Sequence, residues 1–146
     1  MNVRLAMKED KEQVLKLFDE FASFLQAEDV PSQIGGTLFD EVINRKDIKI
    51  FLAEDNNQLV GYIQLILLPI IRHGSHYGHI EEFFITEKSR KKGVGTELFN
   101  AVKDYCRNNG IKVIRLNSGN ELIVAHKFYE KNGGKTTERF FRFDID

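Results

Sequence analysis

Residues 80–105, IEEFFITEKSRKKGVGTELFNAVKDY, decide the fold class and carry the clearest chemical signal in the chain. An apolar strand over 80–86 bears two adjacent carboxylates and leads through a short polar link into the run RKKGVGT at 90–96. That run opens a helix, because Val94, Leu98 and Val102 recur at helical spacing. The stretch therefore predicts a strand and a helix joined by a glycine turn.

The glycine turn predicts an anion-binding site. Gly93 and Gly95 have no β-carbon, so backbone N–H groups can approach a ligand closely, and the start of a helix carries partial positive charge. Arg90, Lys91 and Lys92 lie directly upstream and reinforce the preference for an anion. We expect the occupant to be a phosphorylated cofactor.

Two common phosphate motifs do not fit this stretch. The phosphate loop of nucleoside triphosphatases places its lysine after the glycines, whereas Lys91 and Lys92 precede them. The dinucleotide-binding fingerprint needs a third glycine at the position of Leu98, which is too bulky for close packing of a helix on a strand.

The spacing Arg90-x-x-Gly93-x-Gly95 resembles the pyrophosphate loop of the GNAT superfamily of N-acetyltransferases, which bind acetyl-coenzyme A. A second motif, AHKFYEKNG at 125–133, resembles the helix on the far side of the coenzyme A cleft in this superfamily. The resemblance covers nearly the whole chain. It departs from the family at Gly134, where an aromatic residue is usual.

The sequence identifies the acceptor less clearly than it identifies the cofactor. Leu122 stands where many members have an asparagine, and the segment 118–120 looks like the subset whose helix reads Ala-His-x-Phe-Tyr. The strand 78–82 is similar to that of glucosamine-6-phosphate N-acetyltransferases, whereas the helix 125–129 and the ending 141–143 look more like aminoalkylphosphonate N-acetyltransferases. Protein N-termini, polyamines and aminoglycosides stay open as acceptors.

The resemblance also implies which residues contact the cofactor. Two central strands are expected to splay apart, with Phe83, Phe84 and Ile85 offering backbone groups to the pantetheine arm and Asn117 lining the opposite strand. The residues expected at the pyrophosphate are Arg90, Lys91, Lys92, Gly93, Val94, Gly95 and Thr96.

Tyr129 matches the family tyrosine that contacts the cofactor sulfur and can protonate it. The alternative for Tyr129 is a packing role beside Phe128. We favour the proton donor because the whole run Phe-Tyr-Glu-Lys matches the family.

Acetylation of an amine needs a group that removes a proton from the amine. Strand residues alternate between faces, so His79, Glu81, Phe83 and Ile85 are expected on one side and Ile80, Glu82 and Phe84 on the other. Apolar neighbours would desolvate either carboxylate and raise its pKa. We favour Glu81, on the face it shares with His79, as the base. The alternatives are Glu82, or a carboxylate that only pairs with a lysine or a substrate cation.

His73, His76 and His79 recur every third residue before and at the acidic strand. With Glu81 they offer the side chains of a metal site, but alternation on a strand would send His76 away from the other two. We therefore expect no metal and predict that this segment rims the acceptor pocket.

Composition sets the broad class of the protein. The 146 residues fit one domain, 1–146, and a hydrophobic content of 42% with 12 Phe supplies a core. A net charge of −1 argues against a nucleic-acid binder, and no apolar run is long enough to span a bilayer. The single cysteine, Cys106, is expected to be a packed thiol in a cytoplasmic protein. A homodimer is an expectation from the family alone.

The order of elements predicts an α/β fold. The resemblance makes it a mixed, mostly antiparallel sheet of about six to seven strands flanked by about four helices. The expected strands lie at 3–5, 48–52, 59–68, 80–86, 113–116 and within 135–144, and the helices at about 8–26, 38–43, 94–105 and 125–129, with Pro31 breaking the chain and 55–57 and 109–110 as turns.

The sequence thus predicts an acetyl-coenzyme A-dependent N-acetyltransferase that transfers an acetyl group directly to a primary amine of a small molecule. The alternative is a non-catalytic acyl-coenzyme A sensor. Because a sensor needs only the loop at 90–96, the presence of both Glu81 and Tyr129 favours the enzyme.

Overall fold

The computed structural model describes residues 1–25 and 32–145, with only the backbone of residues 32–34. The chain forms two compact units, Met1–Arg115 and Leu116–Asp146. The elements are β1 Asn2–Leu5, α1 Lys11–Leu25, α2 Ser32–Val42, β2 Ile48–Asp55, β3 Gln58–Ile70, β4 Ser75–Ile85, α3 Val94–Asn108, β5 Ile114–Leu116 and α4 Ile123–Lys131, with short 3₁₀ turns at Lys8–Asp10, Ile71–His73 and Glu87–Ser89.

The five strands form one sheet in the order β1-β2-β3-β4-β5. The first four are joined by antiparallel pairings, and the Gly78 N–H donates to the O of Val113, the residue just before β5. A mixed α/β fold with four α-helices is therefore confirmed. Strand β5 has three residues against eleven in β4, so it accompanies only part of that strand.

The expected strand count of six to seven was too high for the described residues, which contain five strands. The segment 135–144, predicted as a last strand, has no regular secondary structure and is exposed along its length. A β-strand is defined by ladder hydrogen bonds to a neighbouring strand, and the sheet of the described residues ends at β5.

The first helix begins with a polar anchor. Asp10 accepts the Met7 N–H at 2.7 Å, and the Arg4 guanidinium donates to both of its carboxylate oxygens, at 2.7 and 2.8 Å. Asp10 is 6% exposed, so a buried carboxylate connects β1 to the start of α1 through this ion pair. The prediction placed this helix from residue 8 to 26. Gln26 and Pro31 lie outside the described residues.

The sheet separates two apolar layers. One lies between the sheet and the helices α1 and α2, and its buried members are Val14, Leu17, Phe39, Val42, Ile50, Leu52, Leu59, Tyr62 and Phe84. The other lies under α3, whose buried face is Val94, Leu98, Phe99, Val102 and Cys106. Cys106 is 2% exposed, and burial raises the pKa of its thiol, as the prediction of a packed thiol requires.

Two predicted turns are confirmed in detail. Asn56 and Asn57 both have positive φ, 49° and 61°, which is the geometry of the tight turn that best joins two antiparallel strands. At the end of α3, Gly110 has φ 71°. The Ile111 N–H there reaches Cys106 O at 2.8 Å, which closes the helix in a Schellman motif.

Gly61 of β3 has no room for a side chain. A β-carbon on this residue would lie 2.9 Å from Phe84 O and 3.2 Å from a methyl group of Leu98. The backbone at Gly61 therefore fits between β4 and α3 only because it has no side chain.

No helix of the described residues is long and apolar enough to cross a membrane.

The anchor at Asp10 generates a stability prediction. We expect Asp10→Asn to lower the free energy of unfolding by about 1–3 kcal/mol near neutral pH, because the variant weakens a charged, buried hydrogen bond. The Arg4 guanidinium holds the pKa of the Asp10 carboxyl below its ordinary value. This stabilisation is therefore complete above about pH 4 and is lost as pH falls through the lowered pKa.

Urea unfolding of both proteins from pH 7 to pH 2 measures this difference. Asp19→Asn, on the exposed side of α1, is the matched control and should change stability by less than about 0.5 kcal/mol. A difference between wild type and Asp10→Asn that does not shrink in acid would contradict the assignment.

Candidate active site

Strand β4 contains a β-bulge in the middle of its acidic segment. Ile80 pairs with Leu65 of β3, but the next pair is Glu82 with Gln64, so Glu81 is an extra residue in the ladder. A bulge changes the faces to which later side chains of a strand point. The alternation predicted for this strand therefore fails at Glu81.

Contacts on either side of the bulge show which face each half of β4 presents. Before it, a β-carbon at Gly78 would lie 3.3 Å from Cys106 Sγ, on the side of the sheet covered by α3, and Ile80 points the same way. After it, Glu82 bonds Tyr62, which belongs to the layer under α1. Ile80 and Glu82 thus lie on opposite faces although they are two residues apart.

The grouping of side chains predicted from alternation was consequently wrong across the bulge: Ile80 does not share a face with Glu82, and Ile85 does not share one with Glu81. Phe84 belongs to the layer on the α1 side, as Tyr62 does, whereas Ile85 lies beside the Leu98 methyl group on the α3 side. His79 lies on the face of the sheet opposite to that of Gly78, and it contacts Glu81. Both carboxylates therefore extend to the same side of the sheet, which is the side of α1.

Glu82 is held by a tyrosine that the sequence analysis missed. The Tyr62 hydroxyl donates to Glu82 Oε2 at 2.7 Å, and Tyr62 is 0% exposed. Burial raises the pKa of the Glu82 carboxyl; the hydrogen bond from Tyr62 opposes that rise, and the neighbouring Glu81 charge adds to it. A carboxyl with a raised pKa suits proton exchange near neutral pH.

Tyr62 gives one signal in the sequence. It lies among apolar residues of β3, and a buried tyrosine usually finds a hydrogen-bond partner for its hydroxyl. The identity of that partner depends on the bulge, and no residue pattern in β4 predicts the bulge.

Glu81 has a different environment from Glu82. Its Oε2 lies 3.0 Å from His79 Nε2, and its side chain is 55% exposed, against 18% for His79. This pair confirms the predicted proximity of His79 and Glu81. The Glu81 carboxylate stays largely in water, whereas the Glu82 carboxylate does not.

The three histidines of the predicted metal alternative do not converge. The His73 ring lies 5.8 Å from the Tyr77 ring, His76 is exposed, and His79 bonds Glu81. Over residues 1–25 and 32–145, no three His, Cys, Asp or Glu side chains lie close enough together to hold a metal ion.

The run 90–96 folds into a turn that delivers the start of α3. Lys91 and Gly93 both have left-handed backbone conformations, with φ of 59° and 84°. Such a conformation costs a lysine on the order of 1 kcal/mol, and strain of this kind concentrates at functional sites. Lys91, Lys92 and Gly93 are all exposed.

The first turn of α3 leaves backbone donors available. Its first hydrogen bond runs from Glu97 N–H to Gly93 O at 3.1 Å, and no side chain caps the helix at Gly93. The N–H groups of Val94, Gly95 and Thr96 therefore lack an acceptor within the helix. This arrangement fits the predicted anion site.

Arg90 turns away from this helix start. Its Nε donates to Ile85 O at 3.1 Å, and its guanidinium carbon lies 4.5 Å from the Phe24 ring centroid and 5.7 Å from that of Phe84. Arg90 thus ties the loop to α1 and β4. Lys91 and Lys92 are the residues of the run whose cationic side chains are exposed.

The end of β4 has backbone groups on the edge away from β3. The Thr86 N–H donates to Val60 O, so by alternation Phe84 forms a hydrogen-bonded pair with Tyr62. Phe83 and Ile85 form non-hydrogen-bonded pairs, which direct their N–H and C=O groups away from β3. Phe83 and Ile85, two of the three residues predicted to offer backbone groups to the cofactor, therefore face away from β3, although Ile85 O already accepts a hydrogen bond from Arg90 Nε.

The second unit contains the remaining predicted residues. Asn117 follows β5 directly and is exposed. Tyr129 lies on α4 and packs edge-on against Phe128, with ring centroids 5.8 Å apart. Burial raises the pKa of the Tyr129 hydroxyl, which keeps it protonated near neutral pH.

Both departures from the family motif have local explanations. At the end of α4, the Gly134 N–H reaches Tyr129 O at 2.9 Å, and a β-carbon on Gly134 would lie 2.9 Å from that same oxygen. Leu122 precedes α4 and has no oxygen to cap it. His126 Nε2 lies 2.9 Å from Gly119 O, so a contact from within α4 holds the preceding turn instead.

Comparison with known proteins agrees with the geometry. An uncharacterised N-acetyltransferase of Bacillus subtilis, YhfO, is 27% identical over 147 residues, covering 100% of this chain and 97% of its own. The aminoalkylphosphonate N-acetyltransferase of Salmonella typhimurium is 28% identical over 92 residues, covering 63% of this chain and 58% of its own.

Solved structures share the fold at lower identity. A probable acetyltransferase aligns with a TM-score of 0.88 and 20% identity, over 100% of this chain and 97% of its own. The ribosomal-protein-alanine N-acetyltransferase of Brucella melitensis biovar Abortus 2308 aligns with a TM-score of 0.81 and 18% identity, over 99% of this chain and 100% of its own. Finally, the profile of the acetyltransferase (GNAT) family matches residues 12–134. The chain belongs to the GNAT superfamily of N-acetyltransferases.

Proposed function

We propose that the protein uses acetyl-coenzyme A to acetylate a primary amine of a small molecule, by direct attack within a ternary complex. The observation that carries this proposal is the partly desolvated carboxyl of Glu82, which accepts a hydrogen bond from Tyr62. Glu82 lies on β4, the strand that leads into the Gly-x-Gly loop. One segment thus supplies both a proton acceptor and a phosphate cradle. A non-catalytic sensor is not favoured, because the matching family and the curated relatives are acetyltransferases.

The donor fits the residues present in the first unit. The uncapped N–H groups of Val94, Gly95 and Thr96 suit a pyrophosphate, and Lys91 and Lys92 add positive charge. The outward-facing N–H of Ile85 suits an amide C=O of a pantetheine arm, whereas its own C=O is already bonded by Arg90 Nε. Acetyl-coenzyme A supplies a thioester whose carbonyl carbon is open to attack by an amine.

Glu82 is our candidate for the base. Because both carboxylates extend to the α1 side, the face of the strand no longer distinguishes them, and burial does. Glu82 takes the proton that the amine nitrogen loses as the new C–N bond forms and the C–S bond breaks. Glu81, with His79 beside it, is the alternative base.

Tyr129 is our candidate for the acid. Its protonated hydroxyl donates a proton to the sulfur that leaves as a thiolate, which completes the balance of protons.

The acceptor is proposed from chemistry and similarity together. The aminoalkylphosphonate relative suggests a small amine, and the histidines near the start of β4 add groups that can hydrogen-bond an anionic or hydroxylated acceptor. Cytoplasmic location and a homodimer remain proposals at the level of the family.

The loop assignment predicts a loss of donor binding in Gly95→Val. A branched side chain in the first turn of α3 blocks close approach to the backbone N–H groups, so we expect the Kd for acetyl-coenzyme A to rise at least about tenfold, or about 1.4 kcal/mol. Calorimetry on the folded variant measures this. Gly36→Val is the matched control, since a β-carbon there makes only ordinary contacts at 3.7 Å. An unchanged affinity of Gly95→Val for acetyl-coenzyme A would contradict the assignment of this loop to the pyrophosphate.

The base assignment predicts unequal effects of two neighbouring substitutions. Glu82→Gln should lower kcat/KM by about 10²–10⁴-fold near neutral pH and recover partly at high pH, where more of the amine is already deprotonated. Glu81→Gln should cost much less. The measurement is the pH–rate profile of each variant on one acceptor, and a larger loss in Glu81→Gln would move the base to Glu81.

The acid assignment predicts a loss of turnover without a loss of binding. Tyr129→Phe keeps the ring and removes the proton, so kcat should fall by about 10²–10⁴-fold while the Kd for acetyl-coenzyme A changes little. Tyr105→Phe, on α3 against Phe51, is the matched control. Full kcat in Tyr129→Phe would reduce Tyr129 to a packing residue.

A further inference from the structure

Tyr62 reaches the candidate base across two strands. Its ring is directly opposite Phe84 in the β3–β4 pairing, and Glu82 is two residues before Phe84. The hydroxyl therefore crosses diagonally to Glu82, where it lies 2.7 Å from Oε2. This contact exists only in the register that the bulge at Glu81 produces.

Aromatic side chains fix the Tyr62 ring. Phe18 and Phe21 of α1 lie against it, with ring centroids at 4.8 and 6.2 Å. Phe84 closes the third side at 6.4 Å. Phe21 also stacks on Phe84 at 5.0 Å. A ring packed in this way has little freedom to move, so its hydroxyl is a fixed point of attachment.

We propose that Tyr62 is a positioning residue for the transfer reaction: it binds Glu82 Oε2 and thereby directs Oε1 toward the amine. The proposal rests on the proposed function, in which Glu82 is the base. Tyr62 itself contacts no reacting atom in this assignment. Its contribution is to hold one carboxylate oxygen so that the other meets the amine in one orientation.

The charged and titratable groups around Glu82 define what Tyr62 changes. Glu81 lies next to it on the same side of the sheet, and the Arg90 guanidinium lies over Phe84. His79 contacts Glu81 rather than Glu82. Helix α1 presents aromatic rings at this point. Tyr62 is thus the group that hydrogen-bonds the carboxylate and stabilises its charged form.

The test is Tyr62→Phe, which keeps the ring and its packing. Without the hydroxyl, the charged form of Glu82 loses a donor, so the acidic limb of the kcat/KM profile should move to higher pH by about one unit. At a pH on that limb kcat/KM should fall about tenfold, and the plateau at high pH should stay a few-fold below that of the wild type, because Oε1 is no longer held in one orientation. The Kd for acetyl-coenzyme A should not change.

A purely structural role for Tyr62 would lower kcat/KM equally at all pH values and leave the limb in place, which would overturn the proposal. Tyr105→Phe is the matched control and should leave the profile unchanged. The double variant Tyr62→Phe/Glu82→Gln leaves no half-buried carboxylate without its donor, so the double variant is less exposed to a loss of folding than Tyr62→Phe. If Tyr62 acts through Glu82, it should match Glu82→Gln alone within a factor of about two.

The outcomes separate this proposal from the one on which it rests. If Glu82→Gln abolishes the acidic limb and Tyr62→Phe does not move it, the positioning role is wrong and the base assignment stands. If Glu82→Gln leaves both the limb and the release of free thiol intact, the base assignment fails and the role of Tyr62 fails with it.

Discussion

The extra residue at Glu81 is the constraint on which the candidate active site depends. In a regular ladder, Glu82 would share a face with Ile80 and enter the apolar layer beneath α3, where Leu65 and Cys106 are buried. A carboxylate there would be desolvated without a hydrogen-bond donor, at a cost of several kcal/mol or with its charge lost. The bulge turns Glu82 to the other face, where the Tyr62 hydroxyl donates a hydrogen bond to it.

The same change of register joins the acidic strand to the anion loop. Phe84 enters the aromatic cluster on the α1 side, and the Arg90 guanidinium lies over that cluster through Phe24 and Phe84. The hydrogen bond that Arg90 Nε donates to Ile85 O also fixes the position of Arg90. Arg90, at the beginning of the loop, and Tyr62, the partner of Glu82, therefore contact one group of aromatic rings in the first unit.

The sequence predicted those features that depend on neighbouring residues. The order of helices and strands, the turns at Asn56-Asn57 and Asn109-Gly110, and the buried thiol of Cys106 follow from local pattern and were confirmed. Features that depend on the pairing of distant residues were not predictable in the same way. The bulge is set by how β4 meets β3, and the partner of Tyr62 and the contacts of Arg90 follow from it. The segment 135–144 has the residue types of a strand but no regular secondary structure.

The close approach at Gly61 has a consequence for how reliably the protein folds. If β3 slipped by one residue against β4, Val60 or Tyr62 would take the place of Gly61, and its side chain would collide with Phe84 O and the Leu98 methyl group. The glycine thus acts against competing pairings of two long apolar strands, a mistake that hydrophobicity alone does not prevent. A residue without a side chain therefore makes misaligned hairpins unfavourable, because every alternative residue at this position would collide with its neighbours.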